Sequence, residues 1–175
     1  MMSNQSKNDL PIFLVGFMGS GKSTIGTHLA AKLHRTFLDL DQLIETTTRH
    51  PIAELIHLRG EEEFRWIESR ALRESSATGA PVIATGGGVV LREENRELMS
   101  TTGLTVWLDA PFELCWQRIS ADAGVRPLAP DRETALLRYN ARKGYYKEAR
   151  FRVEIDEDLL ADAAADSIVT LLVDP

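Results

Sequence analysis

A continuous apolar run, Ile12, Phe13, Leu14 and Val15, leads straight into a glycine-rich stretch over residues 16–24, and the apolar period changes immediately after it. Gly16, Gly21, Lys22 and Ser23 fit the pattern G-x-x-x-x-G-K-[ST]. The run reads as a strand buried on both faces. Ile25, Leu29 and Leu33 then recur at i, i+4 and i+8, so a helix is expected from Ser23 to about His34. Strand, glycine turn and helix in that order make a P-loop. The glycines let the backbone curl until successive N–H groups point at phosphate oxygens, and the helix N-terminus adds its positive dipole end. Gly19, Ser20, Gly21, Lys22, Ser23 and Thr24 are the expected phosphate cradle. Lys22 would reach the outer phosphates, and Ser23 would offer its hydroxyl to Mg²⁺. A chance match in a glycine turn is the alternative, and the flanking strand and helix argue against it.

The remaining pattern repeats strand and helix. Short strands are expected over residues 36–40, 81–85, 104–108 and 151–155. Helices are expected from about Asp41, from Pro51 to a break at Gly60, and over residues 61–76, 93–100, 112–120, 131–149 and 159–172. Phe64, Ile67, Ala71 and Leu72 read as the inner face of the 61–76 helix, and Trp66, Trp107 and Cys115 as core or packing residues. Strands alternating with helices imply a parallel sheet covered on both faces. Residues 1–10 read as a flexible leader, residues 11–175 as a single domain, and residues 121–130 as a loop.

Bulk properties narrow the partners. A formal charge of −6 over 175 residues gives no basic field for nucleic acid. With one cysteine there is no internal disulfide, the leader has no apolar stretch of signal-peptide type, and no run is long enough to span a bilayer. The expectation is a soluble cytoplasmic protein with no membrane partner. The histidines His28, His34, His50 and His57 show no metal-ligand pattern.

Several other residues carry chemistry. Asp39 and Asp41 close the second strand, and ligands in such sheets bind beyond the carboxyl ends of strands. Residues i and i+2 share a strand face, so both carboxylates would aim at one site. Alternatively Asp41 is the N-cap of the next helix. Arg65 has Glu61 at i−4 and Glu68 at i+3, which suits ordinary surface pairs, or else a guanidinium fork for a substrate carboxylate. Gly86, Gly87 and Gly88 at a strand end suggest close approach of a ligand to the backbone. Arg126 and Arg142 on their own read as solvated arginines.

Taken in order, these motifs resemble the shikimate kinase family. Residues 16–24 followed by Gly26 are similar to its P-loop. Asp39, Asp41, Ile44 and Glu45 resemble its D-x-D-x-x-I-E segment, and Gly60, Glu61, Phe64, Arg65 and Glu68 its G-E-x-x-F-R-x-x-E motif. Residues 85–89 resemble its glycine triplet, Arg126-Pro127-Leu128 its lid, and Arg142, Tyr146 and Ala149 its R-x-x-x-Y-x-x-A segment. The likeness spans about residues 11–155. It implies an α/β P-loop NTPase fold of nucleoside-monophosphate-kinase type, with a five-stranded parallel sheet, helices on both faces and a lid over about 121–130. It implies transfer of the ATP γ-phosphate to the 3-hydroxyl of shikimate; a monomer is expected. Carried over by position, Asp41, Arg65, Gly87 and Arg142 would hold shikimate, and Lys22, Asp41 and Arg126 would be catalytic. Ser23 and Asp39 would serve Mg²⁺, Arg126 would reach the phosphates from the lid, and Arg118 would flank the adenine.

Three segments depart from the family pattern. Arg49-His50-Pro51-Ile52 lacks the usual glycine, Gly144-Tyr145 stands where proline-leucine is common, and residues 154–158 are acidic where an arginine and a proline often wall the adenine. A gluconate kinase is the nearest rival, since gluconate also carries a carboxylate and several hydroxyls. The Arg65 motif and the glycine triplet favour shikimate. No N-K-x-D motif of a GTPase is present.

Overall fold

The computed structural model describes residues 10–121, 128 and 130–173. Its five strands are β1 (Ile12–Val15), β2 (Phe37–Asp39), β3 (Val82–Ala84), β4 (Leu104–Asp109) and β5 (Phe151–Glu154). All pair in parallel in the order β2-β3-β1-β4-β5. β1 is central, and Ile12, Phe13 and Leu14 are fully buried, which a strand of alternating polarity would not allow. The central strand therefore delivers its carboxyl end, and the P-loop, to the middle of one sheet edge.

Among the described residues seven helices connect and cover the strands: α1 (Lys22–Leu33), α2 (Leu40–Thr48), α3 (Ile52–Ser76), α4 (Glu93–Thr102), α5 (Phe112–Ala121), α6 (Arg132–Tyr146) and α7 (Ala161–Val173). α1 packs against α7, and His28 and Lys32 of α1 pair with Asp162 of α7 at the rim of that contact. Pro51 caps α3, and Gly60 interrupts that helix with φ 85° and ψ 162°, the break expected from the sequence. No helix among the described residues is long and apolar enough to cross a membrane.

Some expectations are corrected. Trp66 is 58% exposed, not core. The buried face of α3 carries Phe64, Arg65, Glu68, Ser69, Leu72 and Ser75, while Ile67 and Ala71 are only partly buried. The helix is rotated so that an arginine and a glutamate, not a fully apolar stripe, face inward. α6 ends at Tyr146, three residues short of the expected Ala149, and a short 3₁₀ turn, Val89–Leu91, follows the glycine triplet. Residues 1–9 and most of the 121–130 loop, with Arg126 and Pro127, lie outside the described residues.

Candidate active site

The P-loop joins β1 to α1 at the centre of the sheet's carboxyl edge. Gly19 has φ 79°, and a Cβ there would stand 2.7 Å from the Cys115 carbonyl oxygen, so both conformation and space require glycine. α1 has no side-chain N-cap, leaving its first-turn amides for a ligand. Lys22 Nζ donates to the Gly16 and Phe17 carbonyls, each at 2.8 Å. Crowding by the protein lowers its pKa to about 8, against the pull of the nearby Asp41 carboxylate. A phosphate arriving here would favour the charged ammonium.

Asp39 and Asp41 do not share a strand face. β2 ends at Asp39, and Asp41 already lies in the first turn of α2. The N-cap is Asp39, not Asp41: Asp39 Oδ1 accepts from the Asp41 and Gln42 amides at 3.1 and 3.3 Å. Asp39 Oδ2 accepts from the Ser23 hydroxyl at 2.5 Å, which ties β2 to the P-loop. Capping thus occupies one oxygen of Asp39, and Asp41 is left to face the cleft. Its surface is open to solvent, yet protein atoms crowd it, and this desolvation with the neighbouring Asp39 charge pushes its carboxyl up despite Lys22. An elevated carboxyl beside a cleft is suited to taking a proton.

Two clefts meet at this point. One of about 280 Å³ is lined by the P-loop, Ser23, Asp39, Thr85 and Arg118. The other, about 990 Å³, runs between α2, α3 and the glycine triplet to Arg65, Glu68 and Arg142. Both are lined by Met18, Asp41 and Gly87. Asp41 therefore stands where a group held in the larger cleft would meet a phosphate held in the smaller.

The larger cleft is cationic at its inner wall. Arg65 is buried and pairs with Glu68 at 2.7 Å and Glu61 at 3.2 Å, so both pairs form, the Glu68 pair inside the protein and the Glu61 pair at its edge. A Cβ on Gly88 would stand 2.5 Å from three guanidinium atoms of Arg65, so the triplet is glycine partly to admit this side chain. Glu68 is fully buried, its Oε1 has no hydrogen-bond partner, and burial pushes its carboxyl up although Arg65 opposes this. Arg142 is 2% exposed and lies over the Phe17 ring at 5.8 Å. Burial lowers its pKa, and among the described residues it forms no ion pair. A buried guanidinium without a carboxylate is costly unless an anion completes it. Arg118, on α5, donates to the Gly19 carbonyl at 3.1 Å, which sets it beside the P-loop.

Sequence reasoning missed Phe17, Ile56 and His57 as cleft or arginine-supporting residues, while Leu128 of the expected lid motif does line the cleft. The Gly60 break was the available signal, because the first half of α3 then supplies Ile56 and His57 to the cleft.

Glu61 bridges α3 to α6, accepting from both Arg65 and Arg138. Partial burial pushes its carboxyl up, but those two arginines outweigh this and the net shift is down. A depressed folded pKa contributes stability above the ordinary glutamate value, lost as pH falls through the folded value. Glu61→Gln should therefore lower the melting temperature at neutral pH and flatten its fall in acid. An unchanged acid limb in the variant would remove Glu61 from this linkage.

Fold and site together define a P-loop phosphotransferase whose larger cleft is built for a small anion. A family model described as shikimate kinase matches residues 18–173. A shikimate kinase of Synechococcus sp. (strain JA-3-3Ab) is 42% identical over 160 residues, covering 90% of this chain and 84% of the relative. One from Symbiobacterium thermophilum is 39% identical over 163 residues, covering 89% and 92%. The solved structure of shikimate kinase from Acinetobacter baumannii in complex with shikimate superposes with a TM-score of 0.89 at 36% identity, covering 94% of this chain and 93% of that one. A deoxyadenosine kinase from M. mycoides with bound dATP, at TM-score 0.62 and 14% identity, shares the fold. The chain belongs to the shikimate kinase family.

Proposed function

We propose that this enzyme transfers the γ-phosphoryl group of ATP to the 3-hydroxyl of shikimate. The observation that carries the reading is Arg142, a buried guanidinium without an ion pair among the described residues, in the cleft that meets the P-loop at Asp41. In an acidic chain such a group suits the carboxylate of a small substrate. Arg65 and Arg142 bind that carboxylate, the Gly87 backbone and Asp41 take hydroxyls, and the 3-hydroxyl lies beside Asp41. The Asp41 carboxylate accepts the hydroxyl proton as the oxygen forms its bond to the γ-phosphorus. The bond from that phosphorus to the bridging oxygen breaks, and ADP leaves with the electron pair. Lys22 releases the Gly16 and Phe17 carbonyls and follows the charge on the phosphates. Arg118 lies against the adenine.

The residues present suit Mg²⁺. Ser23 Oγ and Asp39 Oδ2 are adjacent hard oxygen donors, and this ion needs only one or two protein ligands when phosphates supply the rest. When bound it neutralises phosphate charge. The same reading makes the protein a cytoplasmic monomer without nucleic-acid or membrane partners.

Release of ADP measured with shikimate, gluconate and nucleoside monophosphates tests the proposal. Stimulation by shikimate alone is expected, and stimulation by gluconate with none by shikimate would overturn it. Arg65→Ala should weaken shikimate binding by roughly 1.5–3 kcal/mol for the lost charged hydrogen bond. It should also destabilise the fold by leaving Glu68 buried without its partner, and Arg65→Lys should restore binding only in part. Titration of the variants with shikimate and with ATP checks this, because ATP affinity should barely move. Stability lost with shikimate binding intact would make Arg65 a helix-pairing residue only.

A further inference from the structure

The glycine triplet should be pliable, yet two of its three peptide planes are fixed locally. Gly86 O accepts from Val89 N at 3.1 Å and Gly88 O from Leu91 N at 3.0 Å, within the 3₁₀ turn. Fixing the Gly86 carbonyl also fixes the Gly87 N–H, which belongs to the same peptide plane. The Gly87 carbonyl has no such local partner. It accepts instead from the Tyr146 hydroxyl at 2.5 Å, across 59 residues of chain. Tyr146 is 2% exposed, stacks on Trp107 with ring centroids 6.3 Å apart, and its hydroxyl also interacts with the Arg142 guanidinium one helical turn earlier. Gly87 and Arg142 are neighbours as well: a Cβ on Gly87 would lie 3.6 Å from Arg142 Nη1 and 3.2 Å from Met18 N of the P-loop.

We propose that Tyr146 is a positioning residue, whose hydroxyl links the Gly87 carbonyl to Arg142 and so sets the spacing between the hydroxyl-binding and carboxylate-binding ends of the substrate cleft. The inference rests on the reading of that cleft as the shikimate site. The hydroxyl donates its proton to Gly87 and turns its oxygen lone pairs toward Arg142, so one side chain satisfies a loop carbonyl and faces a buried cation. Rigid stacking on Trp107 holds the ring while both contacts form. Without the hydroxyl, the 87–88 peptide is free to turn and the Arg142 guanidinium loses a support in a site where, among the described residues, no carboxylate forms an ion pair with it.

Tyr146→Phe removes one oxygen and keeps the ring, so the stack on Trp107 survives. Steady-state kinetics of the variant are expected to show a KM for shikimate about tenfold higher, the scale of one lost hydrogen bond. The KM for ATP and kcat should each stay within about twofold. With shikimate methyl ester, which lacks the carboxylate that Arg142 reads, the variant-to-parent ratio in KM should shrink. An unchanged KM for shikimate beside a lowered melting temperature would make Tyr146 a packing residue and overturn the inference. Equal rises for shikimate and ATP, or an undiminished ratio with the ester, would overturn it as well. Parent enzyme that fails to turn over shikimate would overturn the functional reading itself, a result distinct from these.

Discussion

Asp41→Asn is expected to fold as the parent does, to bind ATP with unchanged affinity and to lose about 10²–10⁴ in turnover, the range for removal of a general base. The argument begins with the caps. Asp39 closes the N-terminus of α2, so Asp41 is not the N-cap of that helix. It stands instead at the junction of the two clefts, within the field of Lys22, with its carboxyl pushed up by desolvation and by Asp39. Asparagine keeps the shape and removes the proton acceptor. Rapid-quench measurement of a single turnover separates chemistry from release of product, and the loss should lie in the chemical step. A variant with near-normal turnover would reduce Asp41 to an acceptor of one substrate hydrogen bond.

Lys22→Met should lose about 10²–10³ in turnover, the scale of removing one preorganised group that stabilises developing charge. The stability of the nucleotide-free protein should change little, because two effects oppose each other. The parent holds an ammonium in surroundings that lower its pKa to about 8, and methionine removes that cost. Methionine also leaves the Gly16 and Phe17 carbonyls without their donor. A melting scan in the absence of nucleotide, beside kinetics with saturating ATP, reads both. A large drop in melting temperature with turnover nearly intact would assign Lys22 to holding the loop rather than to the phosphates.

The chain announced its architecture because the relevant signals are local. Buried parallel strands read as unbroken apolar runs, and Ile12 to Val15 followed by the glycine loop could be little else. The proline before α3 and the glycine inside it marked a start and a break correctly. What stayed hidden depends on contacts distant in sequence. Arg65 reads as a surface residue from its spacing to Glu61 and Glu68, and those pairs do form, but the packing of the glycine triplet over it buries the guanidinium and its pair with Glu68. Rotating that face inward turned Trp66 out to solvent. The exchange of roles between Asp39 and Asp41 turned on one residue of strand length, which pattern does not resolve. Arg142 looks like any solvated arginine until α6 is docked across Phe17. The Tyr146 bond to Gly87 spans too much chain for any periodicity to reveal.

The most direct test of the account is phosphorus NMR of the product formed from ATP and shikimate, with proton correlation to the ring. A phosphomonoester resonance coupled to the ring proton on carbon 3, growing in step with ADP, is the predicted result. Inorganic phosphate with unmodified shikimate, or an ester coupled to a different ring proton, would contradict it.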